Sequence, residues 1–421
     1  MNRELAVRLL QSILPDPPWN EDRLRQTLSE LRVLAEHKYN KYEMYQPARL
    51  FFESLYFFLL GFREEHRTAV LEFVRQDLTY VSREEFQQLA HVLYHDRIRQ
   101  EQLDLASRKS GIPRHHVSRL VSSAEFRRIK RASLYVALSD GARIDYFRRQ
   151  NLEIDNEQVL AAYYVDDVKV GGVLRDLRKA LTDETALFEC LFLLDDFCGS
   201  GKTLLREVVI VALAKSCPRI EPPDSLTGKL GYDEEKHVLQ WNYYGPVEPE
   251  DVQRLNAFAS RSELATAVRE LVAKCERRDT EIKGSLARIA KEKIRTTIRE
   301  DAAVYLGPLL ATQYAIDRLT PLVTRLGPPM NTLKTIPASI LPNSARVLRG
   351  SGELSAICEQ YYDRRIADEH TSDVTFGYDG CGLPVVLHHN TPNNSLYFLW
   401  ARKWGDALFA RYERHGRGPR T

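Results

Sequence analysis

The sequence has no Cys-x-x-Cys pair. Its six cysteines, Cys190, Cys198, Cys217, Cys275, Cys358 and Cys381, are scattered. That argues against a disulfide framework or a zinc site, and for a reducing, cytoplasmic setting. It has little excess of either charge, with 60 Lys+Arg against 58 Asp+Glu over 421 residues. The whole chain is therefore no polyelectrolyte for nucleic acid, although local basic runs can still meet one. It lacks a long apolar run. The most apolar stretch, Leu50–Phe62, is broken by Glu53 and is shorter than the roughly 20 residues that span a bilayer. No secretory pattern opens it, because Arg3, Glu4 and Arg8 interrupt the apolar residues of Met1–Leu10. What remains is an ordinary soluble composition, 43% hydrophobic and 28% charged, long enough for more than one domain.

One stretch organises the rest, Leu191 to Arg206, which reads Leu-Phe-Leu-Leu-Asp-Asp-Phe-Cys-Gly-Ser-Gly-Lys-Thr-Leu-Leu-Arg. Leu191–Leu194 has the character of a buried strand, Asp195 and Asp196 follow at once, and a small glycine-bearing loop then opens a helix. Gly201-Lys202-Thr203 fits the end of a Walker A loop, G-x-x-x-x-G-K-[ST], but the position that should hold the first glycine is Asp196. The alternative pattern is the ribose-5-phosphate loop of type I phosphoribosyltransferases: an apolar strand, two acids, about three small or apolar residues, then Ser/Thr-Gly-x-Ser/Thr. Every element is present. Adjacent carboxylates can accept hydrogen bonds from vicinal ribose hydroxyls. Backbone N–H groups and hydroxyls of Gly199, Ser200, Gly201, Lys202 and Thr203 can hold a 5′-phosphate at a helix start, with Lys202 adding positive charge.

Residues 1–125 read as helical. Asp22–Ala35 repeats apolar residues at helical spacing. Pro47 suits a first turn before the aromatic helix 48–62, and Ser82–Glu85 is a capping-box pattern. Tyr39, Tyr42, Tyr45, Phe51, Phe52, Tyr56, Phe57 and Phe58 are expected to form core or interface. His91 and His95 stand one helical turn apart, a spacing that can bind metal, but they lack a third ligand and read as a surface pair. Leu105–Leu120 resembles a helix-turn-helix with Gly111 at the turn, and Arg127-Arg128-Ile129-Lys130-Arg131 follows. A basic hairpin of this kind can touch nucleic-acid phosphates.

From about residue 132 the pattern changes to α/β. Leu134–Leu138 reads as a strand, Ser139-Asp140-Gly141-Ala142 as a turn and Arg143–Arg149 as a short basic helix. This second strand–loop–helix unit is a candidate anion loop, with Arg143 beside it and Asp140 acceptable there if Mg²⁺ intervenes. A helix over 166–181 and a strand over 187–194 lead to the acidic motif, and Leu204–Ala214 is the helix after it. Residues 217–300 read as a mostly helical insertion with a short strand near His237–Trp241. Val304–Leu310 reads as a strand, Thr312–Leu319 as its helix and Val347–Tyr362 as mostly helical. A last strand, Gly382–Leu387, delivers His388-His389-Asn390-Thr391-Pro392-Asn393-Asn394-Ser395 into a polar loop. Its His389, Asn390, Asn393 and Asn394 are candidates for reading a base or second substrate, because Asn both donates and accepts. A basic tail, 411–421, ends the sequence.

With Leu138–Asp145, Leu194–Thr203 and His388–Leu396 in hand, the chain resembles the phosphoribosyltransferase-like (PRTase-CE) proteins of bacterial conflict systems, including anti-phage effectors encoded beside retron reverse transcriptases. The resemblance runs from about 125 to 405. It implies a type I phosphoribosyltransferase-like parallel sheet flanked by helices over 126–410, preceded by an all-α interaction domain over 1–125. It implies Mg²⁺, held indirectly by Asp195 and Asp196, and no tightly bound organic cofactor. Asp195 and Asp196 would hold ribose hydroxyls, Ser200, Gly201 and Thr203 the 5′-phosphate, and the Ser139–Ala142 loop pyrophosphate. Lys202 departs from the small or polar residue usual in that loop. The implied partners are a phosphoribosyl compound or nucleotide, a reverse transcriptase with its RNA–DNA product at the helical region, and a second copy of the chain. Three functions stay open: an enzyme acting at ribose C1 in phage defence, a non-catalytic nucleotide-sensing module, and a P-loop NTPase.

Overall fold

The computed structural model describes residues 3–14, 19–45, 50–161, 167–202, 230–233, 238–241, 294, 296–323, 333–366, 373–401 and 406–411. The chain divides into two compact units, Met1–Phe86 with Pro342–Thr421, and Gln87–Leu341. The expected boundary at residue 125 falls inside the second unit. The segment from Pro342 onward, expected within the sheet domain, belongs with the N-terminal helices. Thr203, the helix expected over Leu204–Ala214, the helices of the expected insertion, Cys217, Cys275 and the basic tail beyond Arg411 lie outside the described residues.

The unit Gln87–Leu341 is built on a six-stranded, all-parallel sheet. Its order is Val159–Ala161, Ser133–Ala137, Phe188–Cys198 and Ile298–Thr312, with Lys334–Thr335 and Ser339–Leu341 both on the outer flank of the long strand. In chain order the second strand lies outside the first and the others follow on the opposite side, a doubly wound arrangement. Each of the five residues of Ser133–Ala137 is buried, as are the first eight of Phe188–Cys198. Such near-continuous apolar runs belong to parallel strands covered on both faces. The acidic strand begins close to the expected 187 but runs past the expected end at Leu194, to Cys198. It has a partner throughout, from Cys190 opposite Ala303 to Cys198 opposite Ala311. Gly307 faces Leu194, and a Cβ there would come within 3.0 Å of the Leu194 side chain and 3.3 Å of Leu93.

A ladder of rings ties the three middle strands. Tyr135, Phe192 and Tyr305 are mutual register partners. Phe192 stacks on both neighbours, with centroids 5.3 Å from Tyr135 and 4.8 Å from Tyr305. Helix Arg99–Ser110 closes over this ladder through Gln102, which is fully buried and donates from Nε2 to Ser133 Oγ (2.9 Å) and the Tyr135 hydroxyl (3.2 Å). Gly111 ends that helix in the left-handed region at φ 71. Helices Val117–Val121 and Ala124–Arg131 follow. Residues 99–131 thus serve the sheet, rather than a separate helical domain. Of the insertion, the antiparallel pair Leu230–Asp233 and Val238–Trp241 is described, together with residue 294 and residues 296–300 that lead into the long strand.

The unit Met1–Phe86 with Pro342–Thr421 is mainly helical, with helices Arg3–Gln11, Glu21–His37, Phe51–Leu60, Glu64–Gln76 and Glu353–Gln360. The last is shorter than the expected 347–362, because Gly350 and Gly352 break the helical path at φ 73 and 128. Tyr39, Tyr42, Phe51 and Phe58 are buried as expected, whereas Phe57 is 41% exposed. Phe409 sits within ring-contact distance of Tyr39, Tyr42, Tyr45, Phe51 and Tyr80. The capping box forms: Ser82 N–H donates to Glu85 Oε2 (2.8 Å) and Glu85 N–H to Ser82 Oγ (3.1 Å). The last strand, Val385–Leu387, pairs in parallel with Thr79–Val81, not with the large sheet as expected. Among the described residues no helix is long and apolar enough to cross a membrane.

Phe192 is fully buried between two ring partners, so Phe192→Ala is expected to lower stability by about 3–5 kcal/mol. Urea unfolding measures this, and a loss under about 1 kcal/mol would show that the ladder does not hold the sheet.

Candidate functional site

The strand order reverses between Ser133–Ala137 and Phe188–Cys198. In open parallel sheets, ligands bind at the carboxyl ends of the strands flanking such a reversal. Both sequence-derived loops leave from these two ends. The ladder continues past the first strand, with Leu138 N–H donating to Leu194 O at 2.9 Å. One residue later Ser139 Oγ donates to Asp195 Oδ1 at 2.6 Å. The loop expected at pyrophosphate and the acid expected at ribose are therefore in direct contact.

Asp195 is 4% exposed, while Asp196 is half-buried. Asp195 Oδ1 also accepts from Asp196 N–H (3.2 Å), and Asp196 Oδ1 accepts from Phe197 N–H (2.8 Å). Burial pushes the Asp195 carboxyl well above the usual range, and the adjacent Asp196 charge pushes it further. The hydrogen bonds from Ser139 and the Asp196 amide pull the other way without overcoming burial. The balance raises the proton affinity of Asp195 above that of an ordinary carboxylate. A protonated carboxyl donates as well as accepts, and ionises when a cation or a set of ligand hydroxyls enters.

After Cys198 the chain turns through Gly199, Ser200 and Gly201 and becomes helical at Lys202. Lys202 N–H lies 3.4 Å from Ser200 Oγ. Gly201 is required twice over: its φ is 77, and a Cβ would stand 3.0–3.3 Å from the Leu319 side chain. The loop is fastened from the neighbouring strand. Thr312 Oγ1 donates to Gly199 O (2.6 Å) and accepts from Ala315 N–H (3.0 Å), capping helix Gln313–Val323. Thr312 and Leu319 escaped the sequence reading as site residues. The available signal was a threonine closing an apolar run at a helix start.

The loop expected at pyrophosphate is a single tight turn over Asp140–Ala142. Arg143 lies outside the following helix, Ile144–Gln150, in the left-handed region at φ 45. The expected helix start at Arg143 is thus displaced by one residue. A non-glycine residue in that region is a local strain.

His389, Asn390, Asn393 and Asn394 belong to the unit that holds Met1–Phe86. There His388 N–H donates to Val81 O (2.9 Å) and Glu43 N–H to His388 O (2.8 Å). The rings of His388 and His389 pack on Phe86, with His389 5% exposed. Asn394 Nδ2 donates to Tyr378 O (3.0 Å), and Asn393 O accepts from Tyr378 N–H (2.8 Å). Gly377 meets the Asn394 carbonyl so closely that a side chain has no room. Among the described residues no group of three or more His, Cys, Asp or Glu forms a metal cluster. His91 and His95 form a close ring pair, centroids 4.2 Å apart.

Residues 286–411 match the PRTase-CE family model, the family whose motifs the sequence resembles. The match points to phosphoribosyltransferase-like chemistry. It covers the long strand, Thr312, Leu319 and the 388–395 loop, and leaves Ser139–Arg143 and Asp195–Thr203 outside it. No curated protein and no solved structure matches the chain.

The displaced acidity of Asp195 sets a stability test. In the unfolded chain Asp ionises near pH ~3.9. The native state keeps this proton to higher pH, so it binds more protons than the unfolded state above that point. Stability is then full below pH ~3.9 and falls as pH rises toward the native value. Asp195→Asn removes this loss and keeps an acceptor for Ser139. Its melting temperature is expected to exceed that of the wild type at pH 7–8, with the gain vanishing near pH 3.5. A lower melting temperature at pH 8 would overturn the assignment.

Proposed function

We propose that the loop Asp195–Thr203 binds a 5-phosphorylated ribose and that the chain acts at ribose C1. The reading rests chiefly on the Ser139–Asp195 hydrogen bond at the reversal of strand order. It joins two loops of complementary chemistry where a ligand is expected. Asp195 and Asp196 take the vicinal ribose hydroxyls. The backbone of Gly199–Lys202, with Ser200 and Thr203, takes the 5′-phosphate, and Lys202 adds charge. The Ser139–Arg143 turn faces pyrophosphate. In the reaction a nucleophile forms a bond to C1 as the C1–O bond to pyrophosphate breaks, the electron pair leaving with pyrophosphate. The carboxyl pair stabilises the positive charge that develops at C1. Hard carboxylate oxygens beside a phosphate site suit Mg²⁺, which would be held indirectly and would neutralise pyrophosphate oxygens.

A P-loop reading fits the backbone less well. Asp196 lies inside the strand, between Asp195 opposite Pro308 and Phe197 opposite Leu310. Only Gly199–Gly201 separate the strand from helical backbone at Lys202, whereas a P-loop would start its turn at 196. With the resemblance to conflict-system proteins, we place this chemistry in anti-phage defence beside a reverse transcriptase.

Titration calorimetry with phosphoribosyl pyrophosphate and Mg²⁺ is the direct test. Wild type is expected to bind. Asp195→Asn combined with Asp196→Asn is expected to weaken binding at least 10-fold, since one hydrogen bond to a charged group contributes about 1.5–3 kcal/mol, and to abolish protection of phage-challenged cells. ATP binding that is lost in Lys202→Ala, with no phosphoribosyl binding, would overturn the proposal. Product analysis of the bound complex separates turnover from sensing.

A further inference from the structure

Beyond the ribose loop, the helices Arg99–Ser110, Val117–Val121 and Ala124–Arg131 carry an unusual charge density. The three helices hold eight Lys and Arg against the acids Glu101, Asp104 and Glu125, in a chain whose net charge is only +2. A buried carboxylate shows how these cations are gathered. Glu189, near the start of the acidic strand, is 5% exposed, and it pairs with Lys109, with Arg128 at 2.7 Å and with Arg299 at 4.0 Å. The end of the first helix and the middle of the third therefore meet over one anion. The neighbouring residues Arg108 and Arg127 emerge beside them. Arg108, Arg127 and Arg119 on the middle helix are exposed, and none of them meets a carboxylate among the described residues.

We propose that this three-helix face docks the phosphodiester backbone of a nucleic acid. Three observations favour that ligand. The exposed cations that meet no carboxylate are arginines, whose planar forks suit phosphate oxygens, and they are spread over three helices, which suits an extended anion rather than a small one. The exposed part of the segment has no Phe, Tyr or Trp: Phe126 is buried, and Val117 is the only large apolar side chain that stands out. Protein interfaces lean on such aromatic anchors, so an acidic protein is the weaker fit. His115 and His116, exposed with ring centroids 4.3 Å apart in the same turn, can add ring N–H donors.

The test uses the full-length chain and fluorescence anisotropy with labelled single-stranded and duplex DNA and RNA of about 20 nucleotides, between about 50 and 200 mM salt. Wild-type affinity is expected to fall steeply with salt. In Arg108→Ala/Arg119→Ala/Arg127→Ala the slope of log K against log salt should shrink by about 2–3, with affinity at least 10-fold weaker at 100 mM. The corresponding triple Lys variant should keep most of the slope. The Ala variant should keep the wild-type melting temperature and phosphoribosyl binding, which separates failure here from failure of the ribose site. Unchanged affinity in the Ala variant, salt-independent binding, or equal affinity for poly-glutamate of matched charge would each overturn the proposal, the last in favour of an acidic protein.

Discussion

A carboxyl group removed from water is stable only with a hydrogen-bond donor, a counter-charge or a proton of its own. Asp195 meets this constraint with the first and third. Ser139 supplies the donor across the strand reversal, and burial raises the affinity of Asp195 for a proton. Much of the unit Gln87–Leu341 exists to hold that arrangement. The Tyr135–Phe192–Tyr305 ladder fixes the relative height of the three strands. That register sets Leu138 against Leu194 and so delivers Ser139 to Asp195. The long strand runs to Thr312, whose hydroxyl anchors Gly199 and starts the next helix at once. A shift of one residue in any of these strands would turn the serine or the threonine to the opposite face.

What the sequence disclosed follows from how local each signal is. The apolar runs around 134–138 and 187–194, the acidic pair, Gly201 and the capping box at Ser82–Glu85 are local, and the structure carries all of them. The extent of the strands was hidden, because Asp195–Cys198 is strand only through its pairing with Pro308–Ala311, more than a hundred residues away. The same holds for Thr312: nothing near it in sequence reveals that its hydroxyl reaches Gly199. Partner choice was least legible. Val385–Leu387 looks like a strand of an α/β sheet, but three apolar residues fit a two-stranded pairing with Thr79–Val81 equally well. The domain boundary was misplaced for the same reason. Helical periodicity over 99–131 says that helices form, and only Gln102 buried against Tyr135 says which core they cover.

The PRTase-CE match and the acidic motif occupy different parts of the chain. The match, 286–411, begins ahead of the long strand and runs through the last strand and its loop. The two meet physically at Thr312 and Leu319, which lie inside the matched residues and shape the Gly199–Gly201 turn. The geometry of the phosphate loop therefore depends on residues within the match, even though the loop itself stands outside it.

The helical unit is discontinuous in the chain, and this has a consequence for biosynthesis. Tyr42 shares a hydrogen bond with Thr391, 349 positions later, and Phe409 fills the centre of the ring cluster around Tyr39, Phe51 and Tyr80. At translation rates of about 5–20 residues per second, the N-terminal helices wait roughly 15–60 s for the segment that completes their core. During that interval their aromatic faces and the strand at 79–81 lack the partners that Phe409 and Val385–Leu387 later supply. Timing on the ribosome is thus built into this architecture: the helices ahead of Phe86 can close their core only after the segment through Phe409 has been made.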